Sequence, residues 1–145
     1  MSWLVANGRV LASAEVAETR RDRRRGLLGR DGVLGAYVLP RCRWVHTIGM
    51  RFTIDVAHLD AAGVVVRTTR MSRHRVGLPV RRARTVIEAS AGAFERWGLR
   101  VGDVVEIRTT VDEPRHGNDR LPGGVERTPP ARSLRTRGGE LVAAG

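Results

Sequence analysis

The chain contains no lysine and only one cysteine, and it has few aromatic residues and no long apolar run. With Cys42 alone, no intrachain disulfide can form, so the thiol is packed, reactive or a metal ligand. No apolar run approaches the roughly 20 residues needed to cross a bilayer, which predicts a protein without membrane insertion. Residues 1–10 lack both the basic and the apolar region of an export signal, and we therefore expect a cytoplasmic location.

The missing lysines place the whole positive charge on arginine. The chain has 26 basic residues, all of them arginine, against 15 acidic residues, for a net charge of +11. Codon bias accounts for the choice of arginine but not for the surplus, which is concentrated in two stretches. The first contains Arg20, Arg21, Arg23, Arg24, Arg25 and Arg30. The second lies within residues 61–87, which hold no acidic residue, and contains Arg67, Arg70, Arg73, Arg75, Arg81, Arg82 and Arg84.

These two stretches suggest contact with anions. Arginine can neutralise the phosphates of a nucleic acid or the charged group of a small anionic ligand. The candidate anion-binding residues are Arg25, Arg30, Arg81 and Arg82. Three Trp, two Phe and one Tyr leave few rings to stack on bases, so the pattern supports at most a weak nucleic-acid association. A solvated basic face is the simpler alternative.

Alternating apolar residues predict several β-strands. The dipeptide Asn7-Gly8 favours a two-residue hairpin turn within residues 3–16, and Asp60 to Gly63 favours a type I turn between two further strands. Apolar residues on both faces of residues 52–59 indicate a central strand. The other predicted strands cover residues 37–39, 64–69, 85–89 and 103–109.

Two short helices are predicted from capping residues. Thr19 can cap a helix that runs to about Leu28 and ends at Gly29. Ser90 can cap a second helix over residues 91–97. Between the strands, residues 70–84 show no steady period and are expected to form an irregular basic loop.

These elements predict a mainly β (α+β) protein, a compact single-domain antiparallel β-sandwich or barrel-like fold with two short helices. Residues 1–110 are expected to form the globular β-rich domain. Residues 111–145 hold four of the six prolines and little apolar periodicity, which is typical of a disordered C-terminal tail. We expect a monomer.

Four segments in order resemble a known family. They are residues 25–30 (RGLLGR), 46–55 (HTIGMRFTID), 86–92 (VIEASAG) and 98–103 (GLRVGD). Their order and spacing, over about residues 10–107, are similar to those of the bacterial and archaeal domain of unknown function number one hundred and ninety-two. The resemblance implies a compact, mainly β, sandwich-like domain with short helices, and it implies no established reaction, cofactor or substrate.

The chain departs from the commoner form of that family at the second segment. Many members carry Trp-Met-Lys-Asn-Thr where this chain has His46-Thr47-Ile48-Gly49-Met50, and many carry an export signal. Such different side chains at one position argue against a catalytic site that all members share and that depends on His46. A pocket selected by shape could survive the exchange.

Strand formation and turns do not account for several polar residues near this segment, which we regard as a candidate ligand site. The candidates are His46, Thr47, Met50, Arg51, Asp55 and Glu88. Our first hypothesis is a non-catalytic binding module for a small or anionic ligand.

The alternative is an uncharacterised hydrolase, and whether the protein is an enzyme stays open. His46 would act as general base, with Asp55 or Glu88 as its acidic partner. Thr47 or Cys42 would be the nucleophile. Packing of Cys42 and hydrogen bonding of His46 are the simpler interpretations.

The chain gives little reason to expect a bound metal. The soft candidates are His46, His58, His74 and Cys42, and they show none of the short paired spacings of zinc sites. No metal site and no cofactor are predicted.

Overall fold

The computed structural model describes residues 1–110. The predicted disordered tail at residues 111–145 lies outside this range. The described residues form β1 (Ser2–Ala6), β2 (Arg9–Val16), α1 (Arg20–Arg25), β3 (Ala36–Pro40), β4 (Ile54–Leu59), β5 (Val65–Met71), β6 (Thr85–Ser90), α2 (Ala93–Trp97) and β7 (Val105–Thr109). The prediction of a mainly β fold with two short helices is confirmed. Neither helix within residues 1–110 is long and apolar enough to cross a membrane.

The strands form one sheet in the order β5-β4-β6-β3-β2-β1-β7. Neighbouring strands are antiparallel except β2 and β3, which pair in parallel. The predicted antiparallel arrangement therefore holds for every described strand pair except this one. The reason is the connection formed by residues 17–35, which carries α1 and is long enough for a crossover between parallel strands.

Within residues 1–110, the two outer strands of the sheet meet at one corner. A β-bridge joins Val64 to Val104, and the Val105 N–H donates to the Gly63 carbonyl at 2.9 Å. The remaining lengths of β5 and β7 are not paired with each other in the described structure, so the sheet is curled but is not a closed barrel.

Both predicted hairpin turns are present. Asn7 and Gly8 have φ values of 52° and 72°, and they connect β1 to β2 with Ala6 paired to Arg9. Positive φ at both central positions matches the right-handed twist of the strands. In the second turn the Gly63 N–H donates to the Asp60 carbonyl at 3.0 Å.

Helix α1 begins where the sequence predicts and ends earlier. The Thr19 hydroxyl accepts from the Asp22 N–H, and the Asp22 side chain accepts from the Thr19 N–H, which completes a capping box. The helix ends at Arg25 because Gly26 takes φ 50° and ψ −128°, a conformation suited to glycine. The predicted end near Leu28 was therefore wrong, and the early turn directs Leu27 into the core, where it is 1% exposed.

Helix α2 is capped differently from the prediction. It begins at Ala93, and no side chain at its N-cap, Gly92, makes the capping bond. The Ser90 hydroxyl, predicted to be the cap, donates instead to the Val33 carbonyl at 3.0 Å. The role of the cap falls to Asp55 on β4, as described below.

The sheet buries apolar side chains on both faces. The face toward α2, here called the α2 face, packs Leu4, Val38, Ala57, Ile87 and Phe94 with their neighbours. The opposite α1 face packs Leu27, Leu39, Ile54, Val56, Met71 and Val86 with theirs. Every residue of β4 is buried, as expected for a central strand. Because side chains alternate between the two faces, the position of a polar residue along its strand decides whether it lies on the α1 face or on the α2 face.

Candidate functional site

A cavity of about 300 Å³ lies on the α1 face, between the C-terminal end of α1 and the sheet. We call it the α1 cavity. Its volume is at the lower end of the range for small-molecule sites. Its walls are largely apolar, and its lining includes Leu27, Leu28, Leu39, Trp44, Val45 and Met50. The polar groups that line it are Arg23, Arg24, Arg25, Cys42, His46 and Glu88.

Glu88 is the buried acid of the α1 cavity. It lies on β6, opposite Val56 of β4 on one side and Tyr37 of β3 on the other. Only 4% of the residue is exposed, and its Oε2 atom has no hydrogen-bond partner among residues 1–110. Burial disfavours the charged form and raises the pKa of this carboxyl to about 7. Near neutral pH, Glu88 can therefore be either a donor or an acceptor.

Gly26 leaves space above the Glu88 carboxyl. A Cβ atom added to Gly26 would lie 3.6 Å from Glu88 Oε2. The residue that ends α1 thus lets the backbone approach the acid without covering it. This explains why the RGLLGR segment and Glu88 belong to one structural unit, although they are distant in the sequence.

His46 supplies the second unpaired polar atom of the cavity. Its Nδ1 atom is buried and has no partner in the described part of the chain. Its ring lies against Trp44, with 5.9 Å between the ring centroids. Buried polar groups normally have hydrogen-bond partners, so two such atoms in one cavity mark a place where a ligand can complete the bonding.

One backbone pairing holds His46 in place and forms a cover over this part of the α1 face. His46 forms an antiparallel bridge with Val76, and the Gly77 N–H donates to the Val45 carbonyl at 2.9 Å. We call residues 45–47 and 74–77 the cover pair. Thr47 anchors it: its N–H donates to the Arg75 carbonyl at 2.7 Å.

Thr47 has a structural role in this arrangement. It is fully buried, its hydroxyl donates to the Ser72 carbonyl at 2.6 Å, and it accepts from the Arg75 N–H at 2.9 Å. A hydroxyl committed in this way is a poor nucleophile because its proton and lone pair are already engaged. The structure places Thr47 beside the cavity as a support and not in its lining.

Cys42 lines the cavity but is not activated. Its Sγ donates to the Trp44 carbonyl at 3.1 Å. Burial raises the pKa of the thiol above its usual value, which disfavours the reactive thiolate. Packing, the simpler interpretation of this cysteine, agrees with that geometry.

The arginines of α1 give the cavity a positive rim. Arg23, Arg24 and Arg25 form the last turn of the helix and line the cavity. None of the three forms an ion pair within residues 1–110. Cations are favourable at the carboxyl end of a helix, so they can stay there without an acidic partner and remain available to an anion.

Asp55 lies away from this cavity, on the α2 face. Its Oδ2 atom accepts from the N–H groups of Gly92 and Phe94 at 2.9 and 3.2 Å, and so caps α2. Its Oδ1 atom accepts from Arg70 Nε at 3.0 Å. Since the sheet separates Asp55 from His46, the structure does not bring together this pair of the hydrolase hypothesis.

The other predicted site residues differ in whether they form ion pairs and in whether they line the cavity. Arg51 pairs with Asp31 at 2.8 Å, with both side chains largely exposed. Arg30 makes two bonds to Glu15, at 2.7 and 2.9 Å, and lies over the ring of Tyr37. Met50 and Arg25 line the cavity, as His46 and Glu88 do, whereas Arg81 and Arg82 do not. Arg82 lies 3.8 Å from Asp60.

No metal centre is evident in the part of the chain that the structure describes. There, no group of three or more His, Cys, Asp or Glu residues could hold a metal ion.

Sequence reasoning missed several members of the site. Arg23 and Arg24 were identified only as part of the first basic stretch, and Gly26, Leu27 and Leu28 only as part of the RGLLGR family segment. The ordered RGLLGR segment was the available signal, since its conspicuous glycines indicated a specific backbone path without showing what lay beneath it.

The curled seven-stranded sheet and its two short helices define a small, mainly β domain with a ligand-sized cavity on one face. The chain belongs to DUF192, a family of uncharacterized ACR proteins, which its residues 3–107 match. This confirms the resemblance indicated by the four segments. No curated protein matches the chain.

Two solved structures have the same fold. A protein of unknown function from Novosphingobium aromaticivorans is 17% identical and superposes with a TM-score of 0.61, covering 72% of this chain and 82% of that one. A putative transcription regulator from Sinorhizobium meliloti is 19% identical with a TM-score of 0.62, covering 72% of this chain and 90% of that one. At these identities the likeness concerns the fold alone.

Proposed function

We propose that the protein is a binding module that takes a small organic acid in the α1 cavity. The observation that supports this proposal is that two residues lining one cavity with an arginine rim, Glu88 and His46, each carry a buried polar atom without a partner among residues 1–110, namely Glu88 Oε2 and His46 Nδ1. Leaving buried polar groups unpaired costs about 1 to 3 kcal/mol each, and a ligand that pairs them recovers this energy.

The cavity lining suggests three parts for such a ligand. An apolar body would pack against Leu27, Leu39 and Met50. A hydroxyl or carbonyl would bond to the Glu88 carboxyl and the His46 ring. The anionic group would face the arginines of α1, where its charge is favoured.

Thermal unfolding with chosen probes tests this proposal. Hexanoate and benzoate should raise the melting temperature of the full chain in a saturable way, since a ligand that binds only the folded state stabilises it. Hexanol and benzyl alcohol, which lack the anionic group, should raise it much less. If neither acid shifts the melting temperature at about 1 mM, roughly a thousand times a micromolar Kd, the site is rejected.

Two matched variants separate the arginine rim from net charge. The Arg24→Gln/Arg25→Gln variant should bind benzoate at least about tenfold more weakly than the wild type, because it removes two cavity arginines. The Arg96→Gln/Arg100→Gln variant removes the same charge from exposed arginines that do not line the α1 cavity, and it should bind normally. Equal losses in both variants would mean that only the overall charge matters.

A hydrolase is the second candidate, favoured by the pKa of Glu88. A carboxyl with a pKa of about 7 is suited to proton transfer at neutral pH, and His46 lines the same cavity. With Thr47 engaged and the Cys42 thiol disfavoured as a thiolate, attack by water is the remaining route. Turnover of nitrophenyl esters, phosphates or glycosides that is abolished in Glu88→Gln would support an enzyme; its absence on all three would favour pure binding.

Weak nucleic-acid association remains a further proposal, prompted by the arginines of α1 and by the structural relative described as a putative transcription regulator. Gel shifts on duplex and single-stranded DNA test it. Charge reversal at Arg81 and Arg82 should weaken such binding if the second basic stretch contributes.

A further inference from the structure

A second cavity lies beside His58 on the same face of the sheet. It has a volume of about 320 Å³ and is formed by β4, β5 and the first residues after β5. We call it the His58 cavity. Its lining includes His58, Arg67, Thr69, Arg70, Met71, Ser72, Arg75, Val76, Gly77 and Leu78. It shares no lining residue with the α1 cavity.

His58 is an unusual residue for the wall of a core. The residue is 4% exposed, and neither Nδ1 nor Nε2 has a hydrogen-bond partner within residues 1–110. Most buried histidines satisfy at least one ring nitrogen with a carbonyl, a carboxylate or water. A ring with both nitrogens unpaired beside a cavity therefore points to a group that occupies that cavity.

The protonation state of His58 defines what that group must offer. Burial, and then the charge of Arg67, lowers the pKa of the imidazole below its usual value. The ring is therefore neutral near pH 7, with one N–H donor and one acceptor nitrogen. The two nitrogens face away from each other across the ring, so a group in the cavity can pair one of them, and the N–H needs an acceptor.

The surrounding charges indicate that this group is an anion. Arg67 is directly opposite His58 on β5, and Arg75 reaches the cavity from the cover pair. Neither arginine forms an ion pair in the described part of the chain, whereas Arg70 is engaged by Asp55. No acidic residue lines the cavity.

The remaining wall is apolar and partly open to solvent. Met71 is buried, whereas Val76 and Leu78 are 63% and 68% exposed, which is high for large aliphatic side chains. An organic group attached to the anion would cover them. The lining thus combines a buried imidazole without hydrogen-bond partners, two arginines without ion pairs among residues 1–110, and an apolar patch.

We propose that the His58 cavity binds the phosphate group of a small organic phosphate. A phosphate monoester has a second pKa of about 6, so near neutral pH it is mostly a dianion whose oxygens accept hydrogen bonds. One of these oxygens can therefore accept from the N–H of a neutral His58 ring while the charge faces Arg67 and Arg75. The organic part packs on Val76 and Leu78.

Nitrogen-15 NMR of the histidine rings in the full chain tests this directly. The His58 signals are assigned by their loss in His58→Phe. Titration of the wild type with inorganic phosphate should shift both His58 ring nitrogens in a saturable way. Phenyl phosphate should act at a concentration at least about fivefold lower, because it adds apolar contact. Equal affinities for the two would assign the site to free phosphate and overturn the organic part of the proposal.

Chloride and an arginine pair provide the controls. Chloride lacks a set of acceptor oxygens, so at equal ionic strength it should bind at least about tenfold more weakly than phosphate. Arg67→Gln should weaken phosphate binding by a similar factor, whereas Arg100→Gln, at an exposed position outside the cavity lining, should not. Unmoved His58 signals, or equal effects of chloride and phosphate, would overturn the proposal without affecting the proposal for the α1 cavity.

Discussion

Replacing Glu88 with glutamine should change how the stability of the protein depends on pH. The folded-state pKa of Glu88 is about 7, against an ordinary value of 4.5, because the carboxyl is buried and its Oε2 atom has no partner among residues 1–110. Between these two values the folded state holds a proton that the unfolded state releases, so stability falls as pH rises through this window. Since one pKa unit corresponds to about 1.4 kcal/mol, the loss approaches about 3 kcal/mol above pH 7.

Urea unfolding of the full chain measures this effect. The free energy of unfolding is determined for wild type and Glu88→Gln at intervals from about pH 5 to about pH 8. Glutamine does not ionise, so the wild type minus variant difference should fall by about 2 to 3 kcal/mol across this range. Subtraction removes the contribution of other titrating groups, including His58.

A surface acid provides the matched control. Glu95→Gln removes one carboxyl from an exposed position on α2, and its difference from wild type should stay nearly constant over the same range. If the Glu88→Gln difference were equally flat, Glu88 would ionise in the folded protein as it does in water. The argument that burial keeps it protonated would then fail.

Three further predictions follow from the hydrogen bonds around the site. Thr47→Val should lower the free energy of unfolding in urea by about 1 to 3 kcal/mol, because it removes the bond to the Ser72 carbonyl and another from the partly buried Arg75 backbone N–H. Asp55→Ala should lower it by about 1 to 2 kcal/mol through loss of the α2 cap at Phe94, and an unchanged melting curve would contradict that role. Cys42 should react with a thiol reagent near pH 8 more slowly in the native chain than in urea, and equal rates would show that burial does not suppress the thiolate.

The sequence was sufficient where a few neighbouring residues determine the structure. The Asn7-Gly8 turn and the Thr19 cap depend on local backbone geometry, and both were predicted correctly. The end of α1 was misplaced because two glycines were available, and only packing of Leu27 selects the first. The parallel pairing of β2 with β3 also depends on the path of a long connection, which local patterns do not specify.

The candidate site could be predicted only in part, because strand alternation does not say which face of the sheet meets which helix. Asp55 and Glu88 looked equivalent as acids within apolar strands, yet Asp55 caps α2 and Glu88 lines the α1 cavity. Their difference depends on the pairing of Asp55 with Ala89 and of Val56 with Glu88, a register set by contacts between distant segments. The sequence likewise does not show which face of the sheet His58 lies on, so His58 was considered only as a metal ligand.

The cover pair has a consequence for thermodynamic linkage. One of its segments carries His46 to the α1 cavity, and the other carries Arg75 and Val76 to the His58 cavity. A few backbone bonds, including the one from the Thr47 N–H to the Arg75 carbonyl, hold the two segments together. If a ligand in one cavity changes the affinity of the other through these bonds, the change must be mutual between the two cavities. Occupancy of either cavity is therefore best measured with the other one both empty and filled.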